Sequence, residues 1–362
     1  MRFINEYQDR EKVKRLTGLI NDEIKERRYK IMEVCGTHTA AIRRFGLKSL
    51  LSKNIELISG PGCPVCVTSD GYLRRAIKLS RDKGLILATY PDMLRVPVDK
   101  TSLEEERARG ADIRSVDSAL QALKLAEREK NKEVVFLAVG FETTAPGTAL
   151  IAEAARKGKI KNLSIYSAHK TIPEALWILG KDKDLEIDGF LLPGHVSAII
   201  GVSGYRSVIK KIGIPSVISG FEPLDILLSL YKIIRAVNER KAILENEYTR
   251  IVASEGNQKA RRLLVAVFNK TDSFWRGLGV IPKSGFALKS EFKAWDAEKK
   301  FGLKSMVVRE DSKVSCRCAD VLKGKIEPQM CPYFAKECTP ATPQGPCMVS
   351  REGTCRTFFE YR

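Results

Sequence analysis

The sequence predicts an α/β protein with two parallel-sheet units and a third, helical and irregular domain rich in cysteine. Three observations predict it. Short continuous apolar runs such as Glu133-Val-Val-Phe-Leu-Ala-Val-Gly140 alternate with amphipathic stretches, the pattern of strands covered by helices on both faces. The chain has 362 residues, room for two or three domains at about 150 residues each. Of nine cysteines, Cys35, Cys63 and Cys66 lie early, while Cys316, Cys318, Cys331, Cys338, Cys347 and Cys355 crowd the last fifty residues.

In chain order, residues 5–29 read as a charged helix packing on the body. Lys30 to Cys35 has strand length, as does Ile55 to Gly60, followed by an amphipathic helix from Asp70 to Lys83 and a strand from Gly84 to Tyr90. Val116, Ala119, Leu120, Leu123 and Ala126 recur at helical spacing. After the strand at 133–140 come a helix at 145–157 and strands at 163–167, 189–192 and 215–219. Residues 224–240 and 241–254 read as long helices, and beyond Gly277 the chain reads as irregular. These elements divide into an N-terminal helix (1–29), a first α/β domain (30–125), a second (126–221) and a helical, cysteine-rich domain (222–362). The tail from Cys331 to Cys347 holds too few apolar residues to build its own core, so another agent must order it.

Composition narrows the function. Lys+Arg 62 against Asp+Glu 44 leaves +18, which favours acidic partners or serves solubility, but 7% aromatic content offers no stacking platform for nucleic acid. No apolar run reaches membrane-spanning length and the N-terminus lacks a secretory signal, so a cytoplasmic protein with reduced, metal-binding or redox-active cysteines is expected. Phosphate-loop, dinucleotide and nucleophile-elbow motifs are absent.

The strand ends carry the chemistry. In open α/β sheets ligands bind beyond the carboxyl ends of strands. There lie Cys35-Gly-Thr-His38, Gly60-Pro-Gly-Cys63-Pro-Val-Cys66, Gly140-Phe-Glu142-Thr-Thr, Ser167-Ala-His169 and Pro193-Gly-His195. Cys35 and His38 suit a soft or borderline metal such as iron. Cys63 and Cys66, in a Gly/Pro turn ahead of a helix, suit thiol–disulfide exchange or half a metal site. Glu142 is either a general base or charge partner, or a cap for the helix that Pro146 enters. His195 is better placed than His169, whose surroundings read as an exposed loop. Four of the tail cysteines suit a 4Fe–4S cluster, given Cys331-Pro, with structural zinc as the competing use.

Taken together, Glu33-Val-Cys-Gly-Thr-His-Thr39, Gly60 to Cys66, Gly140 to Gly147 and Leu192-Pro-Gly-His-Val-Ser197 resemble the HypD family of NiFe-hydrogenase maturation proteins. Cys316, Cys331, Cys338 and Cys355 follow that family's C-x14-C-x6-C-x16-C pattern, and Met348-Val-Ser-Arg-Glu-Gly353 lies within its last interval. The resemblance spans about residues 30–360. It implies a cofactor-assembly scaffold with redox activity, rather than a classical turnover enzyme, on which an iron bearing two cyanides and one carbon monoxide is built. It implies that Cys35 anchors the iron with a small HypC-type partner, and that a HypE-type protein delivers cyanide. Cys63 and Cys66 would be a redox-active pair beside the iron. The four patterned cysteines would hold the cluster, leaving Cys318 and Cys347 as a second redox pair. The alternative is a stand-alone iron–sulfur thiol/disulfide oxidoreductase, which needs the CxxC and an electron source but not Cys35 or partners.

Overall fold

The structure is a computed structural model, and it describes residues 5–306 and 316–361. The parts of the expected N-terminal and tail domains at 1–4, 307–315 and 362 lie outside those residues. Two parallel sheets organise the chain. The first has the order β2-β1-β7-β8-β9, with β1 Tyr29–Glu33, β2 Ile55–Ser59, β7 Gly189–Pro193, β8 Ser216–Ser219 and β9 Leu244–Asn246. The second has the order β4-β3-β5-β6, with β3 Leu85–Thr89, β4 Ile113–Ser115, β5 Glu133–Gly140 and β6 Leu163–His169. A two-stranded antiparallel hairpin, β10 Phe268–Trp275 and β11 Gly279–Leu288, follows.

The boundaries expected at 125/126 and 221/222 do not separate these sheets. β1 pairs with β7, which lies far along the chain (Ile31 opposite Gly189, Glu33 opposite Leu191), so the first unit is interrupted by the second. The helix Pro223–Asn238, expected in the third domain, packs on the first sheet instead. Its Leu227, Leu230 and Ile233 share a core with Leu16, Ile20, Ile31 and Leu191. Two further expectations fail. Residues 241–254 form β9 and turns rather than a helix, because Ile218 and its neighbours offer Leu244–Asn246 a sheet edge. The stretch around Gly277 is the turn of the β10–β11 hairpin, not irregular chain.

Alternation along each strand distributes side chains to opposite faces. Ile31 faces the helix-covered side of the first sheet, whereas Met32 faces a central core. On β3, Leu85 and Leu87 face that same central core, while Ile86 and Ala88 pack beneath the helices Ala119–Arg128 and Ala145–Lys157. The two units thus share one core, and Cys63, Cys66, Cys318 and Cys347 all lie in it. No helix among the described residues is long and apolar enough to cross a membrane.

Candidate functional site

Both sheets run outward in each direction from a central pair, β1/β7 in the first and β3/β5 in the second. Such a reversal leaves a crevice at the carboxyl ends of the central pair. In the first sheet, β1 delivers Cys35 and β7 delivers Pro193-Gly194-His195, with the Gly60–Cys66 loop after β2 on the other side.

Close backbone contact builds the crevice. A Cβ on Gly62 would lie 2.4 Å from Cys35 Cα, so only glycine lets the β2 loop rest on the Cys35 backbone. A Cβ on Gly36 would lie 2.1 Å from the carbonyl oxygen of Glu352, which brings the tail across the first turn of the helix Gly36–Arg44. Gly353 in turn packs on the carbonyl of Cys347. Three chain segments far apart in sequence therefore meet around Cys35.

Cys35 is buried. Burial pushes its thiol up to about 11, with the Glu352 carboxylate adding to the rise and the Thr37 hydroxyl opposing it. His38 is fully buried, and its Nε2 lies 2.9 Å from the Gly220 carbonyl. Since a carbonyl only accepts, Nε2 carries the hydrogen and Nδ1 keeps its lone pair. Burial lowers the His38 pKa to about 4, so the ring is neutral at pH 7. Nδ1 has no hydrogen-bond partner among the described residues. Phe221, beyond β8, lies between His38 and the exposed His195, with ring centroids 4.8 and 4.2 Å away. The structure therefore groups Cys35, His38, His195, Cys63 and Cys66 at one end of the first sheet.

Cys63 and Cys66 form a disulfide. Cys63 caps the short helix Pro64–Val67, and its Sγ accepts from the Cys66 backbone N–H at 3.1 Å. The tail reaches this loop, for Cys66 Sγ lies 3.8 Å from the carbonyl oxygen of Pro346, next to Cys347. Cys318 and Cys347 are unbonded, their sulfurs 3.0 Å apart. The Cys347 contact and the Arg276 guanidinium hold the Cys318 thiol below its ordinary range, at the expense of Cys347, which is raised.

Glu142 follows β5 but does not cap the helix that Pro146 enters. Its carboxylate accepts from the backbone N–H of Ile172 at 3.1 Å and so caps the helix Ile172–Lys181 instead. Burial raises its pKa from 4.5 to about 8. In the folded state it keeps a proton that the unfolded chain releases above pH 4.5. Stability therefore declines as pH rises from 4.5 to about 8, by on the order of a few kcal/mol for this group. Glu142→Gln is expected to flatten that part of the melting profile, and an unchanged slope would assign it to other groups. His169 lies at the end of β6, buried against Thr148, whose Oγ1 is 2.8 Å from Nε2; it is not on an exposed loop.

The remaining tail cysteines gather without converging. Cys331 and Cys338 are buried and Cys316 and Cys355 partly so. Burial raises Cys316 and Cys338, and Cys355 and Cys318 raise both further. Among the described residues no three Cys, His, Asp or Glu side chains meet where one metal ion would sit. A 4Fe–4S cluster does not require that, because each of its four cysteines binds a different iron. Arg276 and Phe221 escaped the sequence reading, and Glu352 stood in the Met348–Gly353 motif without a role of its own, since no local pattern shows that a residue acts through a distant loop.

The HypD family model, described as "Hydrogenase formation hypA family", matches residues 11–362. The hydrogenase maturation factor HypD of Azotobacter vinelandii is 42% identical over 369 residues, covering 100% of this chain and 97% of the relative. That of Cupriavidus necator is 41% identical over 370 residues, with coverage of 100% and 97%. That of Escherichia coli is 40% identical over 369 residues, with coverage of 100% and 98%.

Proposed function

The chain belongs to the HypD family of hydrogenase maturation factors, and from that premise we propose that it is the scaffold on which the Fe(CN)2(CO) centre of NiFe hydrogenases is assembled. Iron is the cargo. Cys35 anchors it together with a thiolate from a small HypC-type partner, and a HypE-type protein brings cyanide to the complex. The observation that carries this reading is the meeting of the Cys35 loop, the Cys63–Cys66 disulfide and the Cys318/Cys347 pair around one core.

Each group has a task there. Cys35 arrives at neutral pH as a thiol, and it gives up its proton as the metal binds. The neutral His38 and the Phe221 ring wall the crevice on the β8 side. The unbonded Cys318/Cys347 pair supplies two electrons to the Cys63–Cys66 disulfide by exchange. A 4Fe–4S cluster on Cys316, Cys331, Cys338 and Cys355 would supply one-electron chemistry beside that pair.

The test is infrared spectroscopy of the protein purified with its small partner. Bound cyanide and carbon monoxide absorb where proteins do not, and a complex without such bands overturns the scaffold reading. The formed disulfide beside an unbonded thiol pair also fits a stand-alone thiol/disulfide oxidoreductase. That reading requires turnover of small disulfides without partners. For the tail, anaerobic purification is expected to yield about four irons and four sulfides per chain. Stoichiometric zinc without labile sulfide would remove the cluster.

A further inference from the structure

We propose that Arg276, at the tip of the β10–β11 hairpin, is a positioning residue that holds the Cys63–Cys66 loop in register for exchange with the Cys318/Cys347 pair. The proposal rests on the thiol-relay part of the function proposed above.

The helix Pro64–Val67 is too short to satisfy its own C-terminal carbonyls. Arg276 satisfies them from outside. Its backbone N–H donates to the Val67 carbonyl at 2.9 Å, Nε to the Cys66 carbonyl at 3.1 Å and Nη2 to the Thr68 carbonyl at 2.9 Å. Nη1 pairs with the buried Asp70 carboxylate, which opens the next helix, so one buried guanidinium ties both helices to the hairpin. The fork geometry matters, because Nε, Nη2 and Nη1 of one planar guanidinium each serve a different acceptor, whereas an ammonium would have to serve all three from a single nitrogen.

The other side of the tip touches the tail. Gly277 has φ +80°, and a Cβ there would lie 3.0 Å from the Cα of Ala319, the residue after Cys318. Behind the tip, Trp275 is anchored by Nε1 to Ser284 Oγ at 2.8 Å and stacks on Phe141. The hairpin is thus a fixed spacer between the disulfide loop and the Cys318 helix.

That spacing defines the exchange. Cys66 is the sulfur facing the tail, and Cys63 receives the Cys66 N–H. A tail thiolate attacks Cys66 Sγ, the Cys63–Cys66 bond breaks, and Cys63 departs as a thiolate stabilised by that N–H. The second tail thiol, on losing its proton, attacks the mixed disulfide. Cys318–Cys347 closes and Cys66 leaves as a thiolate. Two electrons pass from the tail pair to the loop pair, and the two tail protons end on Cys63 and Cys66. Sulfur must approach in line with the bond it breaks, so an error of about 1 Å in the loop slows the step severely.

The test traps the mixed disulfide. In the full-length, cluster-loaded protein, Cys63→Ser with Cys347→Ser leaves Cys66 and Cys318 to be joined by a mild diazene oxidant, and mass spectrometry counts the linked peptides. With Arg276 intact the link is expected to form. Adding Arg276→Gln is expected to lower its yield at fixed time roughly tenfold, with iron and sulfide content unchanged. Equal yield in both backgrounds overturns the role of Arg276 and leaves the relay standing. If no link forms with Arg276 intact, Cys63→Ser with Cys318→Ser, which leaves Cys66 and Cys347, is oxidised in the same way, and no link in either variant overturns the relay itself. Should Arg276→Gln fail to fold, Arg276→Lys keeps the charge without the fork, and full yield in that variant overturns the proposal.

Discussion

Cys35→Ala is expected to abolish the cyanide and carbonyl infrared bands of the purified complex while iron and sulfide in the tail stay at their native level. The separation follows from what the residue does and does not contact. Cys35 stands at the start of the helix Gly36–Arg44 without making a well-formed side-chain cap, so the helix loses only the sulfur's weaker contacts with Thr37 and the His38 backbone. The tail docks through the backbone of Glu352 over Gly36, a contact that alanine at 35 leaves in place. The cost in stability is limited to one small buried side chain, about 1 kcal/mol. Cys35→Ser is the sharper control, since a hydroxyl of similar size is a poor ligand for a soft, low-valent iron. Bands of undiminished strength in both variants would move the anchor to Cys63 or Cys66.

Cys318→Ser and Cys347→Ser are each expected to leave the cluster intact and stop formation of the mature iron centre. Both sulfurs are buried and in contact at 3.0 Å, and serine fits the same space. A pair that only braces the tail would behave differently, lowering the melting temperature without a specific maturation defect. Hydrogenase maturation, iron–sulfur content and melting, measured on each variant, separate the cases. Normal maturation in both would remove the relay, and with it the purpose assigned to Arg276.

The strands were legible because strands covered on both faces read as unbroken apolar runs: β5 is buried along nearly its whole length. Their partners were not. Nothing local in Gly189–Pro193 says that it pairs with β1 rather than with β6, its predecessor in sequence, since partner choice is made by packing across the whole chain. Residues 241–254 contain enough Ala, Leu and Glu to suggest a helix, yet Tyr248 and Arg250 turn inward against Phe221 and Asp225. The hairpin was obscured by Lys270, Thr271, Asp272 and Ser273, which break the apolar alternation, although Gly277 and Gly279 marked its turn. At the site, Cys35, Cys63 and Cys66 stood out by spacing and by strand-end position. Glu142 was found, but not the helix it caps: its carboxylate caps a helix thirty residues on, which only the tertiary fold brings near.

The interruption of one sheet by the other also sets a timetable for synthesis. β1 and β2 leave the ribosome early, but the second flank of β1 arrives only with Gly189–Pro193, after the whole second sheet has been made. At about 5–20 residues per second, that delay is on the order of ten seconds. Through it the nascent chain carries an open strand edge, the feature most prone to wrong pairing. The contact of Gly36 with Glu352 comes later still. A chain cut short by early termination or proteolysis before Gly353 therefore never presents the finished cysteine crevice, and any cargo that needs all three segments is withheld from it.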